Sequence, residues 1–531
     1  MDSSGLSPIR FGNANGQSAA RLERRYSPAP IQFGTAGWRA AIARDFTFAG
    51  VRLAAQAVAE HLKTELAGHN FPTRAGPAGG RDARDARNAR DAIPNSPIRA
   101  SAPRVILAHD CRFLGPQFAL AAAEVLAGAG FSPLLCIGAT PAPALALAIR
   151  KHKAAGGIYL GAGHNSPEYS GFTFYGGNGA GALPDVTRRI EESIVRLQRE
   201  NWRFPAVVIG TFQAKTLDPR PDYFEQIGKR VDFDAIKKAR LKIAVDLMCG
   251  CGRGYLDTLL LKAGAKLTVL HNESDAFFGG HPPEPDAEHL VQLRQAVGRG
   301  QAQLGLATGG DAGRFGVVDK DGSWLAPNQI LALALYHLKK NRGGTGAVVR
   351  SVTTSHLVDA VARLWGVQVR ETPAGFKYIG ALMEIEPVIV GGEESGGLSV
   401  QGHLPEKDGI LACLLMAELA ATERKSLGVI LAELARQTGP FYTERINLRI
   451  DPEKKERLLA RLAGGLKTVG KFPVEKFLTT DGCKFLLPKE EWVAFRAGGT
   501  EPVVRCHIEA RSQAHLTALR AACRAILRCL T

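Results

Sequence analysis

The sequence predicts a multidomain α/β protein in which three α/β units are followed by a smaller α+β domain. Its 531 residues exceed what one hydrophobic core organises, so several domains of ~100–200 residues each are expected. Strand-like apolar runs alternate with helical patterns, and this alternation restarts twice along the chain. The C-terminal part instead shows several strand patterns followed by one helix, which is typical of an α+β domain.

The first three units follow a repeated β–α–β order. In the first unit VILAHD (residues 105–110) is a predicted strand, PQFALAAAEVLAGAG a helix ended by glycine, and SPLLCIG the next strand. LKIAVD (residues 241–246) and GAVVRSV (residues 346–352) begin the second and third repeats. Such repeats favour doubly wound sheets, whose ligand-binding loops lie at the carboxyl ends of the strands.

The C-terminal unit has strand patterns in FYTERINLRI, CKFLLP, EWVAFRAG and VVRCHIEA, and then a helical pattern. We expect domain I at residues 1–203, domain II at 204–312, domain III at 313–436 and domain IV at 437–531. Residues 74–103 are rich in Arg, Asp, Ala, Gly and Pro and lack an apolar period, so they are a predicted flexible insertion in domain I.

The composition and charge of the chain indicate which kinds of partner it binds. The formal net charge is +16, but Lys and Arg are spread along the whole chain and often neighbour acids, which favours an anionic small substrate over nucleic acid. No apolar run reaches the ~18–20 residues that span a bilayer, and the first residues lack a signal-peptide pattern, so no membrane partner is expected. Nine cysteines without a CxxC pair predict reduced thiols and a cytoplasmic location.

Four Gly-rich loops contain polar and charged residues that no hydrophobic core requires. We name them by their residues: the first loop (161–168), the second loop (309–314), the third loop (391–397) and the fourth loop (495–505). Each alone is weak evidence, because Gly-rich turns are common. Together the loops provide groups for two kinds of ligand group, a phosphate and sugar hydroxyls. Backbone N–H groups with Arg496, Thr500 and Arg505 suit a phosphate, whereas Glu393 and Ser395 suit sugar hydroxyls.

The chain resembles the α-D-phosphohexomutase family, which comprises phosphoglucomutases and phosphomannomutases. The resemblance covers nearly the whole chain. It rests on the four loops and on FGTAGWR (33–39), VDLMCGCGRGYL (245–256), FGGHPPEPDAEHL (278–290), TPAGFKYIG (372–380) and HLPEKDGI (403–410). It implies three α/β domains and a C-terminal phosphate-binding domain around a central cleft. The implied activity is the interconversion of hexose 1-phosphates and 6-phosphates.

The resemblance also implies a mechanism and a set of site residues. A phosphoserine of the first loop exchanges its phosphoryl group with the sugar, and Mg²⁺ is held by three Asp of the second loop together with the phosphoserine. Carried over by position, the implied catalytic residues include Arg39 and His164. The implied substrate-binding residues are Lys377, Glu393, Ser395, Arg496, Gly499, Thr500 and Arg505.

This sequence departs from the family at the positions that carry the chemistry. Gly163 stands at the carrier serine and Thr173 at the lysine implied in proton transfer. In the second loop Gly309 and Gly313 stand where two of the three Asp belong, which leaves Asp311 beside Arg314. Because Mg²⁺ requires several oxygen ligands in near-octahedral geometry, we expect its binding here to be feeble.

Two hypotheses therefore remain. The chain is a mutase that uses a substitute carrier, His164 or Ser166, or it is a non-catalytic protein that binds hexose phosphates. Ser166 lies three residues downstream, which displaces its oxygen by roughly 10 Å in an extended loop, against a tolerance of about 1 Å for reaction. The departures favour the second hypothesis. The identity of the sugar and the choice between monomer and homodimer stay open.

Overall fold

The computed structural model describes residues 29–69, 102–203, 213–498 and 503–530. Residues 74–101 of the predicted insertion lie outside this range. Among the described residues four main sheets, of six, five, four and five strands, follow one another along the chain, together with one two-stranded hairpin. The prediction of three α/β domains and a C-terminal α+β domain is confirmed.

The first domain contains a mixed sheet of six strands in the order β1-β5-β4-β2-β3-β6. Strands β4, β2, β3 and β6 run parallel, and at one edge β5 pairs antiparallel with β4 while β1 pairs antiparallel with β5. Strand β6 joins this sheet although it lies beyond residue 203. The elements are β1 (Trp38–Ala41), α1 (Phe48–His69), β2 (Arg104–His109), α2 (Gly115–Gly128), β3 (Ser132–Cys136), α3 (Ala142–Lys151), β4 (Gly156–Leu160), β5 (Tyr169–Gly176), α4 (Pro184–Arg199) and β6 (Lys215–Leu217).

The second domain contains five strands in the order β11-β10-β9-β7-β8. Because β10 folds back beside β9 as an antiparallel partner, this sheet continues past the expected boundary at residue 312. The elements are α5 (Arg220–Gly228), α6 (Phe233–Ala239), β7 (Lys242–Asp246), α7 (Leu256–Lys262), β8 (Lys266–Leu270), α8 (Val291–Gly298), β9 (Leu304–Thr308), β10 (Phe315–Val318) and β11 (Trp324–Leu325).

The third domain has four strands in the order β13-β12-β14-β15 and shares one hydrophobic core with the second. Helix α12 is buried along nearly its whole length, because it packs on strands of the second sheet and on α9 of the third domain. The elements are α9 (Pro327–Lys340), β12 (Ala347–Ser351), α10 (Leu357–Arg363), β13 (Val369–Thr372), α11 (Phe376–Ile385), β14 (Val388–Gly392), β15 (Leu398–Val400), α12 (Gly409–Glu423) and α13 (Leu427–Thr438).

The fourth domain is an antiparallel sheet in the order β16-β22-β21-β20-β19, with two helices packed on it. The elements are β16 (Tyr442–Arg449), α14 (Pro452–Ala463), β17 (Thr468–Val469), β18 (Phe472–Pro473), β19 (Lys476–Leu478), β20 (Cys483–Leu486), β21 (Trp492–Ala497), β22 (Val503–Ala510) and α15 (Gln513–Leu530).

Each of the four loops joins two antiparallel neighbours. The first loop connects β4 to β5, the second β9 to β10, the third β14 to β15, and the fourth β21 to β22. In the first three domains the strand before the loop belongs to the parallel part of the sheet. The loops therefore leave the carboxyl ends of these strands, as the β–α–β pattern predicts. Over the described ranges, no helix combines the length and the apolar character needed to cross a bilayer.

Candidate functional site

A cavity of about 1010 Å³ lies between the four domains and is lined by all four loops. It brings together most of the residues singled out in the sequence. The predicted site residues on its wall are Arg39, Gly163, His164, Thr173, Asp311, Arg314, Lys377, Glu393, Ser395, Arg496 and Arg505. Gly309 and Gly313, in the second loop, are buried and are not among the residues that line the cavity. Gly499 and Thr500 lie outside the described residues.

The first loop is held by a buried arginine that the sequence analysis did not identify. Arg112 is 2% exposed and forms an ion pair with Asp110 at 2.9 Å. Its two terminal nitrogens donate to four backbone carbonyls, those of residues 163, 165, 166 and 169, at 2.6–2.9 Å. The carboxylate of Asp110 in turn accepts from the N–H of Ala162 at 3.2 Å. This network fixes the backbone of the first loop whatever its side chains are.

Gly163 occupies the point where the first and second loops meet. A Cβ placed on it would lie 3.0 Å from Nη2 of Arg39 and 3.1 Å from Oδ2 of Asp311. Its φ of +55° is in the left-handed region, which favours glycine. A side chain at this position would therefore point at the carboxylate of the second loop, but glycine has no atom there.

Two further residues of the first domain flank this point. Arg39 lies on β1 and donates to Oδ1 of Asn165 in the first loop. Thr173 lies on β5, and its hydroxyl donates to the carbonyl of Ala36 at 3.1 Å. Gly37 allows this contact, since a Cβ at its φ of +91° would lie 2.4 Å from Oγ1 of Thr173. The hydroxyl of Thr173 is thus engaged with the backbone of residues 33–37.

His164 and Ser166, the candidate substitutes for the carrier, both line the cavity. Burial lowers the pKa of His164 well below its ordinary value, and the nearby guanidinium groups, chiefly those of Arg314 and Arg39, lower it further. The imidazole is therefore neutral at physiological pH. The cluster of arginines that keeps it neutral is also the environment that a phosphate dianion prefers.

The second loop retains one carboxylate. Oδ1 of Asp311 accepts from the N–H of Gly313 at 3.0 Å. A Cβ on Gly309 would lie 3.1 Å from the carbonyl of Pro283, and Arg314 is paired with Glu284 at 2.7 Å. Within the described ranges no group of three or more His, Cys, Asp or Glu side chains is arranged to hold a metal ion. One carboxylate does not meet the several oxygen ligands that Mg²⁺ requires, so the residues present do not fit this ion.

A lysine lies where the missing carboxylate of Gly313 would project. A Cβ on Gly313 would lie 3.0 Å from Cε of Lys407, whose Nζ is paired with Glu406 at 2.8 Å. Burial lowers the pKa of Lys407, but the carboxylates of Glu406 and Asp311 outweigh that effect and raise the pKa above its ordinary value. Asp408 fixes the segment because its side chain caps α12, accepting from the N–H of Leu411 at 2.9 Å.

The third loop presents Glu393, Glu394 and Ser395 to the cavity. Oε1 of Glu393 accepts from the N–H of Gly375 at 2.7 Å, and burial raises the pKa of this carboxyl. Lys377, on the first turn of α11, also faces the cavity, and burial lowers the pKa of its ammonium. Hydroxyl, carboxylate and ammonium groups at one wall provide both donors and acceptors, as hydroxyl-bearing ligands require.

The fourth domain presents one face of its sheet to the cavity. Arg496 on β21 and Arg505 on β22 are directly opposite in the register, and Asn447 on β16 is opposite Arg505. Nε of Arg496 donates to Asp481 at 2.9 Å, and the same carboxylate accepts from the N–H of Ala374 in the third domain at 2.8 Å. Arg445, Asn447 and Arg449 also line the cavity, and His507 on β22 lies 3.8 Å from Glu394 of the third loop; none of these four was identified from the sequence. Their signal is the alternation of polar residues along β16 and β22.

The cavity wall is positively charged. Of the described residues that line it, eight are Lys or Arg and five are Asp or Glu, which leaves a formal excess of three positive charges. The eight cations are Arg39, Arg314, Lys377, Lys407, Arg445, Arg449, Arg496 and Arg505, and the five acids are Glu284, Asp311, Glu393, Glu394 and Glu406. A cleft of this charge concentrates anions.

Comparison with protein families gives four matches in chain order. The models are those of phosphoglucomutase/phosphomannomutase domain I (residues 83–201), domain II (residues 221–322), domain III (residues 326–438) and the C-terminal domain (residues 446–526). Together they cover well over half of the chain, with the same order of three α/β/α domains and a C-terminal domain.

Individual relatives also belong to families of phosphosugar mutases. The chain is 29% identical over 413 residues to the phosphoglucomutase/phosphomannomutase of Thermococcus kodakarensis, covering 77% of this chain and 87% of that protein. It is 27% identical over 418 residues to the phosphoglucosamine mutase of Acetivibrio thermocellus, covering 78% and 87%. The crystal structure of a Thermus thermophilus protein described as a phosphomannomutase superposes with a TM-score of 0.77 at 30% identity, covering 94% of this chain and all of that one. The chain belongs to the phosphoglucomutase/phosphomannomutase family.

Proposed function

We propose that this protein binds hexose phosphates in the central cleft and does not exchange their phosphoryl groups by the serine and magnesium route of its family. In this chain the binding of the sugar phosphate and the transfer of its phosphoryl group are separate properties. Binding depends on the third and fourth loops and on the positive charge of the wall, whereas transfer depends on the first and second loops.

Gly163 carries the proposal. A side chain at this position would extend toward Asp311 and Arg39, since atoms of both lie within 3.1 Å of an added Cβ. The place for a carrier side chain therefore faces these two residues, but glycine supplies no carrier atom. Phosphoryl transfer needs an in-line nucleophile and charge stabilisation at the transferred group. With glycine at residue 163 the phosphoryl group has no oxygen to accept it, and with Asp311 alone the second loop does not hold the metal.

Binding is supported by what the cleft retains. Arg496 and Arg505 offer planar guanidinium groups to a phosphate, and Glu393 and Ser395 offer acceptors and a donor to sugar hydroxyls. Both gluco and manno hydroxyl patterns satisfy these groups, so the proposal names hexose phosphates as a class.

The test combines turnover with binding on the same preparation. With glucose 1-phosphate, glucose 1,6-bisphosphate and Mg²⁺, we expect no formation of glucose 6-phosphate above a control without protein. Titration calorimetry with glucose 1-phosphate should nevertheless show saturable heat. Turnover would overturn the catalytic part of the proposal, and absence of both heat and thermal shift at millimolar ligand would overturn the binding part.

A mutase with a histidine carrier is the second candidate. The observation that favours it is the neutral imidazole of His164, which lines the cleft beside arginines and has a nitrogen lone pair for phosphoryl attack. This candidate requires turnover that disappears in His164→Ala and a phosphoryl adduct in intact mass spectrometry of the native protein. A parallel Ser166→Ala variant separates the two possible carriers.

A further inference from the structure

We propose that Cys111 and Cys251 are a redox-active pair, which a low-molecular-weight disulfide such as glutathione disulfide oxidises to a cross-link between the first and second domains. The two cysteines lie 140 positions apart in the sequence. Neither lines the central cavity, so their chemistry is independent of the proposed binding of hexose phosphates.

The fold brings the two cysteines together at the carboxyl ends of parallel strands. Cys111 follows β2 in the first domain, and Cys251 follows β7 in the second. The N–H of Cys251 donates to the carbonyl of Gly310 in the second loop at 2.9 Å. Its Sγ lies 3.8 Å from Oη of Tyr159 on β4, the strand that pairs with β2 in the first sheet. Cys251 therefore reaches from its own domain into the first domain, beside the strand that Cys111 follows.

The two thiols contact each other and differ in character. The thiol of Cys251 donates a hydrogen bond to the sulfur of Cys111, and this bond is the main cause that lowers the pKa of Cys111. Burial and Asp110 oppose the shift, and the guanidinium of Arg253 supports it. Cys111 is half-buried, whereas Cys251 is 2% exposed and burial raises its pKa well above the ordinary value. An accessible thiol of lowered pKa beside a second cysteine is the arrangement found in redox-sensing pairs.

The oxidation has two steps of thiol–disulfide exchange. The thiolate of Cys111 attacks one sulfur of glutathione disulfide, whose S–S bond breaks, so that one glutathione thiolate leaves and a mixed disulfide remains. The sulfur of Cys251 then attacks that of Cys111 and gives its proton to the departing second glutathione. The two protein thiols lose two electrons and two protons in all, and glutathione disulfide is reduced to two molecules of glutathione.

The cross-link would join the bases of the first and second loops. Cys111 directly precedes Arg112, which holds the first loop, and Cys251 is hydrogen-bonded to Gly310 of the second loop. A disulfide between them therefore ties together the two loops that meet at Gly163. It also closes a long segment of chain, which restricts the unfolded state and should stabilise the folded one.

The first experiment maps the bond in the wild-type protein. The folded protein is treated with glutathione disulfide, its remaining thiols are alkylated, and its peptides are analysed by mass spectrometry without reduction. We expect a Cys111–Cys251 cross-link that dithiothreitol reverses. Cys506 and Cys523 are the matched control, because they are also hydrogen-bonded to each other but are fully buried in the core of the fourth domain, so they should stay reduced. Absence of the Cys111–Cys251 peptide, or faster oxidation of the control pair, would overturn the inference.

The second experiment separates the roles of the two thiols. In Cys251→Ala the mixed disulfide of Cys111 with glutathione should persist, and in Cys111→Ala residue 251 should stay reduced. Alkylation of Cys111 by iodoacetamide at neutral pH should slow by at least about threefold in Cys251→Ala, since the hydrogen bond that favours the thiolate is lost. Cys136→Ala, in a buried cluster of the first domain, is the control and should react as wild type does. Unchanged alkylation of Cys111 in Cys251→Ala would contradict the assigned roles.

The third experiment measures the tie between the domains. The oxidised wild-type protein should unfold at a temperature at least about 3 °C above that of the reduced protein. Treatment of Cys251→Ala with glutathione disulfide should give no such increase. Equal midpoints for oxidised and reduced wild type would show that the cross-link does not tie the two domains together.

Discussion

The two halves of the cleft differ in whether their loops present functional side chains to the cavity. In the first and second loops, which we call the carrier half, the backbone is fixed by buried hydrogen bonds while Gly163, Gly309 and Gly313 present no functional group. In the third and fourth loops, which we call the binding half, Glu393 and Arg505 still face the cavity. The hydrogen-bonded backbone of the first loop is therefore formed without a side chain at residue 163.

The difference between the halves has a structural basis. Arg112 recognises backbone carbonyls, which every residue has, so the first loop keeps its conformation when a side chain is lost. In the binding half the polar side chains themselves are positioned by the strand register and by contacts such as those of Asp481 with Arg496 and with the N–H of Ala374. Loss of a side chain in the third or fourth loop would remove a polar group from the cavity wall, whereas the first loop keeps its hydrogen-bonded backbone although residue 163 has no side chain.

The largest expected effect is that of Arg112→Met on the carrier half. The variant leaves Asp110, which is 1% exposed, as a buried carboxylate without its partner. Removing one partner of a buried pair typically costs about 3–5 kcal/mol in the free energy of unfolding. Urea titration should show this loss, whereas Arg189→Met, which removes an exposed helix pair at 3.5 Å, should cost below about 0.5 kcal/mol. Equal losses would show that Arg112 does not hold the loop.

Acid sensitivity should be the second largest effect, and it concerns His507 on β22, which lies 3.8 Å from Glu394 in the binding half. Burial lowers the pKa of His507 to about 4, although Glu394 opposes this shift. The folded protein therefore keeps the ring neutral while the unfolded chain takes up a proton below about pH 6.5. The stability contributed is present above that pH and is lost as the pH falls toward 4, by up to about 3 kcal/mol in all.

His507→Asn removes this titration. The difference in unfolding free energy between wild type and variant should shrink as the pH falls, by about 1.4 kcal/mol per pH unit at most. Taking the difference cancels the other groups that titrate in the same range. A difference that stays constant from pH 7 to 4.5 would show that the ring is protonated without cost in the folded state.

Arg505→Met tests the binding half by its ligand. A charge-assisted hydrogen bond contributes about 1.5–3 kcal/mol, so we expect the dissociation constant of glucose 1-phosphate to rise by at least about tenfold. Arg524→Met, on the exposed side of α15, is the matched control and should bind as wild type does. If both variants lose affinity equally, the net charge of the protein and not the cleft governs binding.

The sequence predicted the fold and the four loops because these depend on periodicity and on motifs that survive side-chain loss. It did not predict Arg112, since that residue is separated from the carbonyls that it holds by 51–57 positions and these carbonyls carry no residue-specific signal. Asp481 was missed for a similar reason, because one of its donors, the N–H of Ala374, lies in another domain. Contacts of side chains with distant backbone become visible only once the chain is folded.

Lys407 shows another limit of the sequence pattern. Its segment was recognised as a motif, but the relation between Lys407 and Gly313 is spatial, across 94 positions, and depends on the cap at Asp408 that starts α12. The register of β16 with β22 likewise adds Asn447 to the cleft. The alternation of polar residues along β16 was present in the sequence, but it does not indicate which face meets the cavity.

Gly163→Ser has the smallest expected effect on the free energy of unfolding. It tests directly whether the carrier half has room for a side chain at residue 163. The φ of +55° at residue 163 should cost about 1–2 kcal/mol for a residue with a side chain, while the two contacts near 3 Å are with side-chain atoms of Arg39 and Asp311 and not with backbone. Gly138→Ser is the matched control, because its φ is +68° and nothing lies within 4 Å of the added carbon. Similar losses would show that the carrier half has kept room for the missing side chain, whereas a loss larger by more than about 2 kcal/mol would show that it has closed. We expect similar losses and no turnover from this change alone, because Thr173 and the single carboxylate of the second loop still leave the new hydroxyl without its proton acceptor and its metal.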